Sequence, residues 1–448
     1  MTPEQRLIEQ SASVAPPLQR SSSNGEAATM QNHSGTLQTQ SIDCSRRRFL
    51  SGALTTAAAG PLFGTSASML TQTDAVSPAS GPKIKLGLVG CGGRGLFLSK
   101  LFKKHGGYEI HAVADYFPDV ADRLGEVMGV PSGRRFSGLS GYKRVIDSAV
   151  DALVLETPPC FFPEHATAAV DAGVHVYMAK PVAVDVPGCR QVEAAAKTAT
   201  QKRRVFLVDL QMPTDPVNQQ VAERVRRGEA GPIGMLSTKG ISGGHPDPPK
   251  TATIESRLRN NIWDNDIAIG GGHVLVFSIH SIDAGLWVVG QHPVAATGSG
   301  RICRKDPHGD ARDIYSVVFE YADGLLHEHS GQHLPNGNRG DLSCHICGRE
   351  GHAKVTYWGE AKFHVRGKKP FAGEVKNLYT NGAKFNIAAF YQAVVTQQYD
   401  NPTVRRAVDS TLACILGREA FSRNCRLTWD ELCRENKRIE LDLRGLKD

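Results

Sequence analysis

The pattern of apolar and polar positions divides this chain into three parts. Residues 1–68 hold few large apolar groups before a weakly apolar run at Ser51–Phe63, and residues 69–82 read as a Ser/Pro/Gly linker. From residue 83 the pattern changes. Short apolar runs at Ile84–Val89, Glu109–Ala114, Asp151–Glu156, Val174–Met178 and Arg204–Leu210 have strand length. Helical stretches separate them: one containing Leu96, Leu98, Leu101 and Phe102, then Val120–Met128, a short one closing at Val145–Ile146, and His165–Ala172. Strands buried on both faces need continuous apolar runs, and strand–helix alternation makes them parallel. The fold class expected is α/β, with a doubly wound parallel sheet over 83–210.

Beyond residue 210 the periodicity is mixed. Met235–Gly240 reads as a strand, and Gly270–Gly290 as a glycine turn followed by a helix with Val274, Phe277, Ile282 and Leu286 near one face. From Pro293 onward strands dominate: Ile314–Tyr321, Leu325–His329, Ser343–Cys347, Lys354–Trp358 and Ala361–Val365. Asp323-Gly324 is a hairpin signal. Asn386–Val395 and Val404–Ser422 are amphipathic helices. Residues 211–448 are thus expected to form a C-terminal α+β domain with an open, largely antiparallel sheet.

Length and composition agree with two domains that have real cores, at 448 residues and 40% hydrophobic content. The formal charge of +7 is not gathered in one block, so no nucleic-acid partner is expected. Residues 1–68 are polar and expected to be a disordered leader ending in a signal peptide. The stretch Ser45-Arg46-Arg47-Arg48-Phe49-Leu50 before a short apolar run is a twin-arginine export pattern, and a basic linker is the alternative. The run is too short and polar to span a bilayer. Cleavage fits Thr65-Ser66-Ala67 or Ser66-Ala67-Ser68. The expected partner is the twin-arginine translocase, and the expected location is periplasmic or exported.

Ten cysteines in an exported chain invite a disulfide reading, but their spacing gives no framework, and free thiols are expected. Cys344, Cys347 and His352 copy three ligands of a zinc knuckle, while Tyr357 stands at the fourth position. A structural zinc site needs four ligands, so these read as strand residues and no metal site is expected. His327, His329 and His333 share one face of a strand, for which a half-solvated face is preferred over a metal triad.

The chemistry concentrates at Gly90-Cys91-Gly92-Gly93-Arg94-Gly95, which lies between the first strand and its helix. Strand, glycine turn, helix and second strand, ending on Asp115, make the context that a dinucleotide fingerprint requires. Gly90 permits the turn, Gly92 lets backbone approach a pyrophosphate, and Gly95 lets helix and strand pack closely. The helix N-terminus favours phosphate. Asp115 suits an adenosine ribose and repels a 2′-phosphate, so NAD is favoured over NADP, a preference Arg94 could offset. Thr157, Pro158 and Lys180 follow later strands, where ligands gather in open α/β sheets. An ammonium at Lys180 can donate to a substrate oxygen. His280 and Asp283 are three apart on a helix, so Asp283 can orient the imidazole. The segment Arg257–Asp266 is polar, with Trp263 inside it.

These motifs resemble the Gfo/Idh/MocA oxidoreductase family, over roughly residues 83–433. The stretches that carry the resemblance are Gly90–Gly95, Asp115, Thr157-Pro158 with His165, Ala179-Lys180-Pro181, and Gly270-Gly271-Gly272 with His280-Ser281-Ile282-Asp283. The resemblance implies an N-terminal Rossmann domain holding NAD through Gly90, Gly92, Gly93, Arg94, Gly95, Asp115, Thr157, Pro158, His165 and Lys180. It implies that Lys180 contacts substrate and nicotinamide, that His280 is the acid/base on a substrate hydroxyl, and that Lys180, Trp263 and His280 bind a carbohydrate. It further implies subunit contacts through the C-terminal sheet, with the C-terminal helices bracing the first domain. Ala179 stands where the family usually has glutamate, and Val276 where many sugar and polyol dehydrogenases have aspartate.

Three functions follow as expectations. The first is an NAD(P)-dependent oxidoreductase acting on a CH–OH group of a sugar, polyol or glycoside, its cofactor tightly bound because the periplasm offers no ready pool of NAD. The second is a redox-neutral glycosidase, lyase or epimerase that oxidises its substrate transiently; export and Val276 lean toward it. The third is a non-catalytic nucleotide- or sugar-binding protein, against which the intact glycine turn and the Lys180–His280 pair count.

Overall fold

The computed structural model describes Gly81 and residues 83–448. The leader, the twin-arginine pattern and all of the linker except Gly81 lie outside the described residues. Six strands, β1 (Ile84–Val89), β2 (Tyr108–Asp115), β3 (Arg135–Ser137), β4 (Ala152–Leu155), β5 (His175–Met178) and β6 (Phe206–Val208), form an all-parallel sheet in the order β3-β2-β1-β4-β5-β6. Leu86–Val89 and Ala152–Leu155 are buried throughout, as continuous apolar runs require. Apolar clusters cover both faces, one built on Leu98, Phe102 and Leu124, the other on Val145, Phe162 and Val192. The strand order reverses between β1 and β4, so the crossovers leave opposite ways and open a crevice at the carboxyl ends there.

The two long C-terminal helices return to this sheet. Leu378–Val395 packs on the helix Gly93–His105, and Tyr108 donates its hydroxyl to the Ile387 carbonyl at 2.7 Å. The start of Pro402–Arg423 seals the β6 edge: Asn401 Oδ1 accepts from the Phe206 N–H at 2.7 Å and Thr403 Oγ1 from the Val208 N–H at 3.1 Å. An edge strand whose N–H groups are met by side chains is no longer open to further pairing.

The second sheet contains β7 (Ile233–Ser242), β8 (Ala295–Arg301), β9 (Ile314–Glu320), β10 (Leu326–His333), β11 (Asp341–Gly348), β12 (Gly351–Thr356), β13 (Gly359–Val365), β14 (Phe371–Val375) and β15 (Leu427–Thr428). Its order is β14-β13-β12-β11-β7-β10-β9-β8-β15, antiparallel except for the central β7–β10 pair. Helices Pro216–Arg226, Ile279–Val289 and Pro402–Arg423 pack against it.

Two expectations change here. His327, His329 and His333 do share a face of β10, but it is the buried one, and the alternate positions are the ones that meet solvent. Thr238 Oγ1 lies 2.7 Å from His327 Nε2 and 2.9 Å from His329 Nδ1, and burial pushes both rings down to about 3, so both are neutral. The stretch 270–290 is not one helix. Gly270 ends a single turn, Ile267–Gly270, Gly271 and Gly272 take positive φ, and a π-helical turn, Val274–Ser278, leads into Ile279–Val289. Such widened turns concentrate at functional sites. The nine described cysteines are all unpaired, and Cys344 is buried while Cys347 on the same strand is exposed.

Candidate functional site

The glycine turn fits a dinucleotide. A Cβ on Gly95 would lie 1.9 Å from the Gly90 carbonyl oxygen, and one on Gly90, at φ +96°, would meet the Glu156 carbonyl at 2.5 Å. These two glycines are needed for helix and strands to approach. Gly92 and Gly93 are different: nothing lies within 4 Å of a Cβ built on either. That open space adjoins the N-terminus of Gly93–His105, which has no side-chain cap and so leaves first-turn N–H groups for an anion. Asp115 ends β2 beside the turn, accepting from the Cys91 N–H at 2.8 Å and the Phe117 N–H at 3.0 Å. Its carboxylate is thereby aimed, with lone pairs left for a ribose.

Arg94 departs from its expected place. Its guanidinium reaches across the crevice to Asp209, just past β6, at 2.6 Å, and lies 4.5 Å over the Tyr379 ring. Asp209 also accepts from Asn386 at 2.6 Å. Arg94 is therefore committed to Asp209 and does not stand ready to offset Asp115.

Lys180 and His280 converge on the same end. The Lys180 charge acts on His280, and Arg94 acts on both. Burial first, then Arg94, brings the Lys180 ammonium down to about 8. Burial, then Lys180 and Arg94, holds His280 well below its ordinary range, so its ring is neutral at pH 7. Lys180 donates to the Val276 carbonyl in the π-helical turn. The position where the resemblance places an aspartate thus supplies a backbone oxygen. The His280 ring meets Tyr357 edge-on at 5.0 Å, and the Tyr357 hydroxyl donates to Gln211 Oε1.

Asp283 does not orient His280. Although three residues along the helix, its carboxylate turns to Ser410 at 2.8 Å and Arg406 at 3.2 Å, tying Ile279–Val289 to Pro402–Arg423. Side chains three apart adjoin on a helix surface but need not share a target. His165 lies buried against Tyr142 and Phe161, its ring centroid 4.2 Å from that of Tyr142. Thr157 and Pro158 follow β4 in the crevice, and the Thr157 hydroxyl is buried with no hydrogen-bond partner among the described residues.

Trp263 sits on a short 3-10 helix, Ile262–Asn265, with its ring edge 2.9 Å from where a Gly270 Cβ would be. Around it the charged groups pair with one another. Arg257 is buried between Asp247 and Asp266, and Asp264 is buried with His245 and His333.

Glu156 was missed as a site residue. It follows β4, and burial, reinforced by Asp209, pushes its carboxyl up to about 8, with one oxygen unpartnered. It can therefore stay protonated at pH 7 and donate. Glu156 and Asp209 follow strands at the carboxyl edge as Lys180 does, and reading every such position as a site finds them.

Comparison with known proteins places this geometry. Residues 84–208 match the family model described as an oxidoreductase family with NAD-binding Rossmann fold, and residues 218–354 match the GFO/IDH/MocA C-terminal domain. Inositol 2-dehydrogenase of Rhizobium meliloti is 23% identical over 243 residues, 54% of this chain and 66% of that one. A glycosyl hydrolase family 109 protein of Shewanella pealeana is 29% identical over 206 residues, 42% of this chain and 44% of that one. The chain thus spans less than two thirds of either relative's length. The structure of an inositol dehydrogenase homolog complexed with NAD+ from Azotobacter vinelandii shares the fold with a TM-score of 0.66 at 15% identity, covering 79% of this chain and 100% of its own. With both domains matched in order, a glycine turn open to a pyrophosphate, and Lys180 and His280 brought to the same sheet edge, the chain belongs to the Gfo/Idh/MocA oxidoreductase family.

Proposed function

We propose that this protein is an NAD-dependent oxidoreductase acting on a CH–OH group of a sugar, polyol or glycoside. The observation that carries this reading is the convergence of a neutral His280 and a partly desolvated Lys180 at the edge that holds the open glycine turn. NAD, held by Gly90–Gly95 and Asp115, supplies a hydride acceptor when bound. Neutral His280 takes the hydroxyl proton. Charged Lys180 donates to the substrate oxygen and stabilises negative charge developing there. Trp263 and Tyr357 give apolar faces suited to a sugar ring.

Tight cofactor retention has structural support. Arg259 lies 3.7 Å over the Phe117 ring and pairs with Asp119 at 2.7 Å, while the Lys447 carbonyl accepts from the Leu139 N–H and the Lys447 N–H donates to the Tyr116 hydroxyl. Both contacts hold residues that come soon after Asp115 and β3. A redox-neutral reading is favoured by Val276, which leaves the His280 relay without a carboxylate, and by the relation to a glycosyl hydrolase family 109 protein. One experiment separates the readings. The purified protein is screened against a panel of sugars and glycosides while bound nicotinamide absorbance and fluorescence are followed. Stoichiometric reduction is expected. Glycoside turnover without net NADH selects the redox-neutral reading, and a protein that never takes up nucleotide removes both.

Export and self-association belong to the same proposal. The twin-arginine stretch directs the folded chain to the periplasm, and Met235, Val318 and Leu326 put exposed apolar groups on neighbouring strands of the second sheet, which suits a subunit contact. Fractionated cells are expected to release the protein from the periplasm as an oligomer; cytoplasmic monomers would remove both assignments.

A further inference from the structure

We propose that His245, Asp264 and His333 form a binding site for one divalent transition-metal ion beside the substrate position. One ligand atom from each lies within 4.8 Å of the others. His245 Nδ1 is 3.1 Å and His333 Nε2 3.5 Å from the same Asp264 oxygen. Donors bound tetrahedrally to one ion at 2.0–2.2 Å stand about 3.3–3.6 Å apart, so both histidine–carboxylate separations already lie near that range.

The surroundings favour an ion over a set of ordinary hydrogen bonds. His333 Nδ1 lies 3.0 Å from Ser242 Oγ, which lies 2.9 Å from His273 Nε2; His273 Nδ1 lies 2.8 Å from the Tyr315 hydroxyl, itself 2.8 Å from Ser278 Oγ. Two runs of protons satisfy this chain. In one, Ser278 donates to Tyr315, Tyr315 to His273, His273 to Ser242 and Ser242 to His333 Nδ1, so that the Nε2 proton meets Asp264 only at 3.5 Å, beyond good hydrogen-bond range. In the other, every donation is reversed and His333 Nε2 keeps a lone pair that faces a carboxylate oxygen. Two acceptors opposed in a buried site repel unless a cation lies between them. Consistently, His333 Nε2 and the second Asp264 oxygen have no hydrogen-bond partner among the described residues. Protons on both ring nitrogens would make an imidazolium stacked 4.5 Å from the His273 ring and 4.7 Å from that of His245. The Ser242 bond to His333 is the kind of outer contact that fixes the tautomer of a ligating histidine.

The fold builds this cluster at one place. Ser242 and His333 are register partners at the carboxyl ends of β7 and β10, the parallel pair in the second sheet. His245 follows β7 by three residues, and Asp264 arrives on the short helix that carries Trp263. Two histidines and one carboxylate suit Zn²⁺, Fe²⁺ or Mn²⁺ and leave coordination positions free. The Asp264 charge acts on Lys180, so a substrate oxygen is the group such an ion would take. That last step rests on the function proposed above; the ion site itself does not.

The test is metal binding by the full protein. After chelator treatment, Zn²⁺, Fe²⁺ and Mn²⁺ are titrated singly by calorimetry, with folding followed by thermal melting. One site per chain is expected for at least one ion. His245→Ala is the main variant because His245 is the more exposed ligand, and Asp264→Asn is the second. Each is expected to weaken binding by about 10²-fold or more, and Ser242→Ala by about 10-fold. Free thiols at Cys303 and Cys347 also take zinc, so binding that survives intact in His245→Ala and Asp264→Asn is thiol binding and overturns the proposal. Absence of binding in the unaltered protein overturns it equally. An ion bound by a protein that oxidises no sugar leaves the site standing and removes the function proposed above.

Discussion

His280→Ala lowers turnover by ~10²-fold or more while leaving NAD bound, and Lys180→Ala does the same by a different route. The imidazole is the group placed to take the hydroxyl proton, and burial with two nearby cations keeps it unprotonated. Lys180 acts in its charged form, by donating to the oxygen that gains negative charge. The two roles separate on a pH profile. Lys180 sits at about 8, so its charged form is complete below that value and is lost as pH rises through it. The unaltered enzyme should therefore lose rate above pH 8, and Lys180→Ala should lack that limb. His280 is held well below its ordinary range, so no acid limb is expected near 6.5. Pre-steady-state nicotinamide fluorescence at each pH gives both quantities. Near-normal rates in both variants would remove these residues from the chemistry.

Gly92→Val weakens cofactor binding by about 10²-fold or more without unfolding the chain. Gly92 has φ −64°, which valine tolerates, and nothing lies within 4 Å of its Cβ position. The cost to stability is expected to stay within about 1 kcal/mol. The isopropyl group would fill the space that a pyrophosphate needs next to the helix N-terminus. Backbone hydrogen bonds to a charged oxygen are worth about 1.5–3 kcal/mol each, so losing two weakens NAD by about 10²-fold or more. Calorimetric titration with NAD, paired with a thermal melt, checks both halves. An unchanged affinity in a folded variant would mean that the open space is not the pyrophosphate site. Gly95 cannot serve this purpose, because its Cβ would lie 1.9 Å from the Gly90 carbonyl oxygen and disturb the fold itself.

Much of the parallel sheet was legible because its signals are local. A strand buried on both faces must be apolar along its length, and a turn that passes backbone against backbone must be glycine. Both requirements fall on neighbouring residues, so Ile84–Val89 and Gly90–Gly95 declare themselves. Lys180 could be placed at the crevice for the same reason, since it directly follows β5. The errors came where partners lie far apart along the chain. A spacing of three pairs Asp283 with His280, whereas Ser410 and Arg406 claim it from another helix. Arg94 was set against Asp115, its neighbour across the turn, yet it answers Asp209. The histidine face of β10 was read as half-solvated because alternation shows which residues share a face but not which face a helix will cover.

The amino-acid order alone determined the succession of elements, the glycine turn, and the acid that ends β2, because each depends on backbone sterics and on contacts within a few residues. Only the folded chain decided which charges meet. In a poorly screened interior an ionised group must find its partner by proximity in space. Arg94 with Asp209, Lys180 beside His280, and His245 with Asp264 and His333 are assembled by packing, and no spacing along the chain announces them.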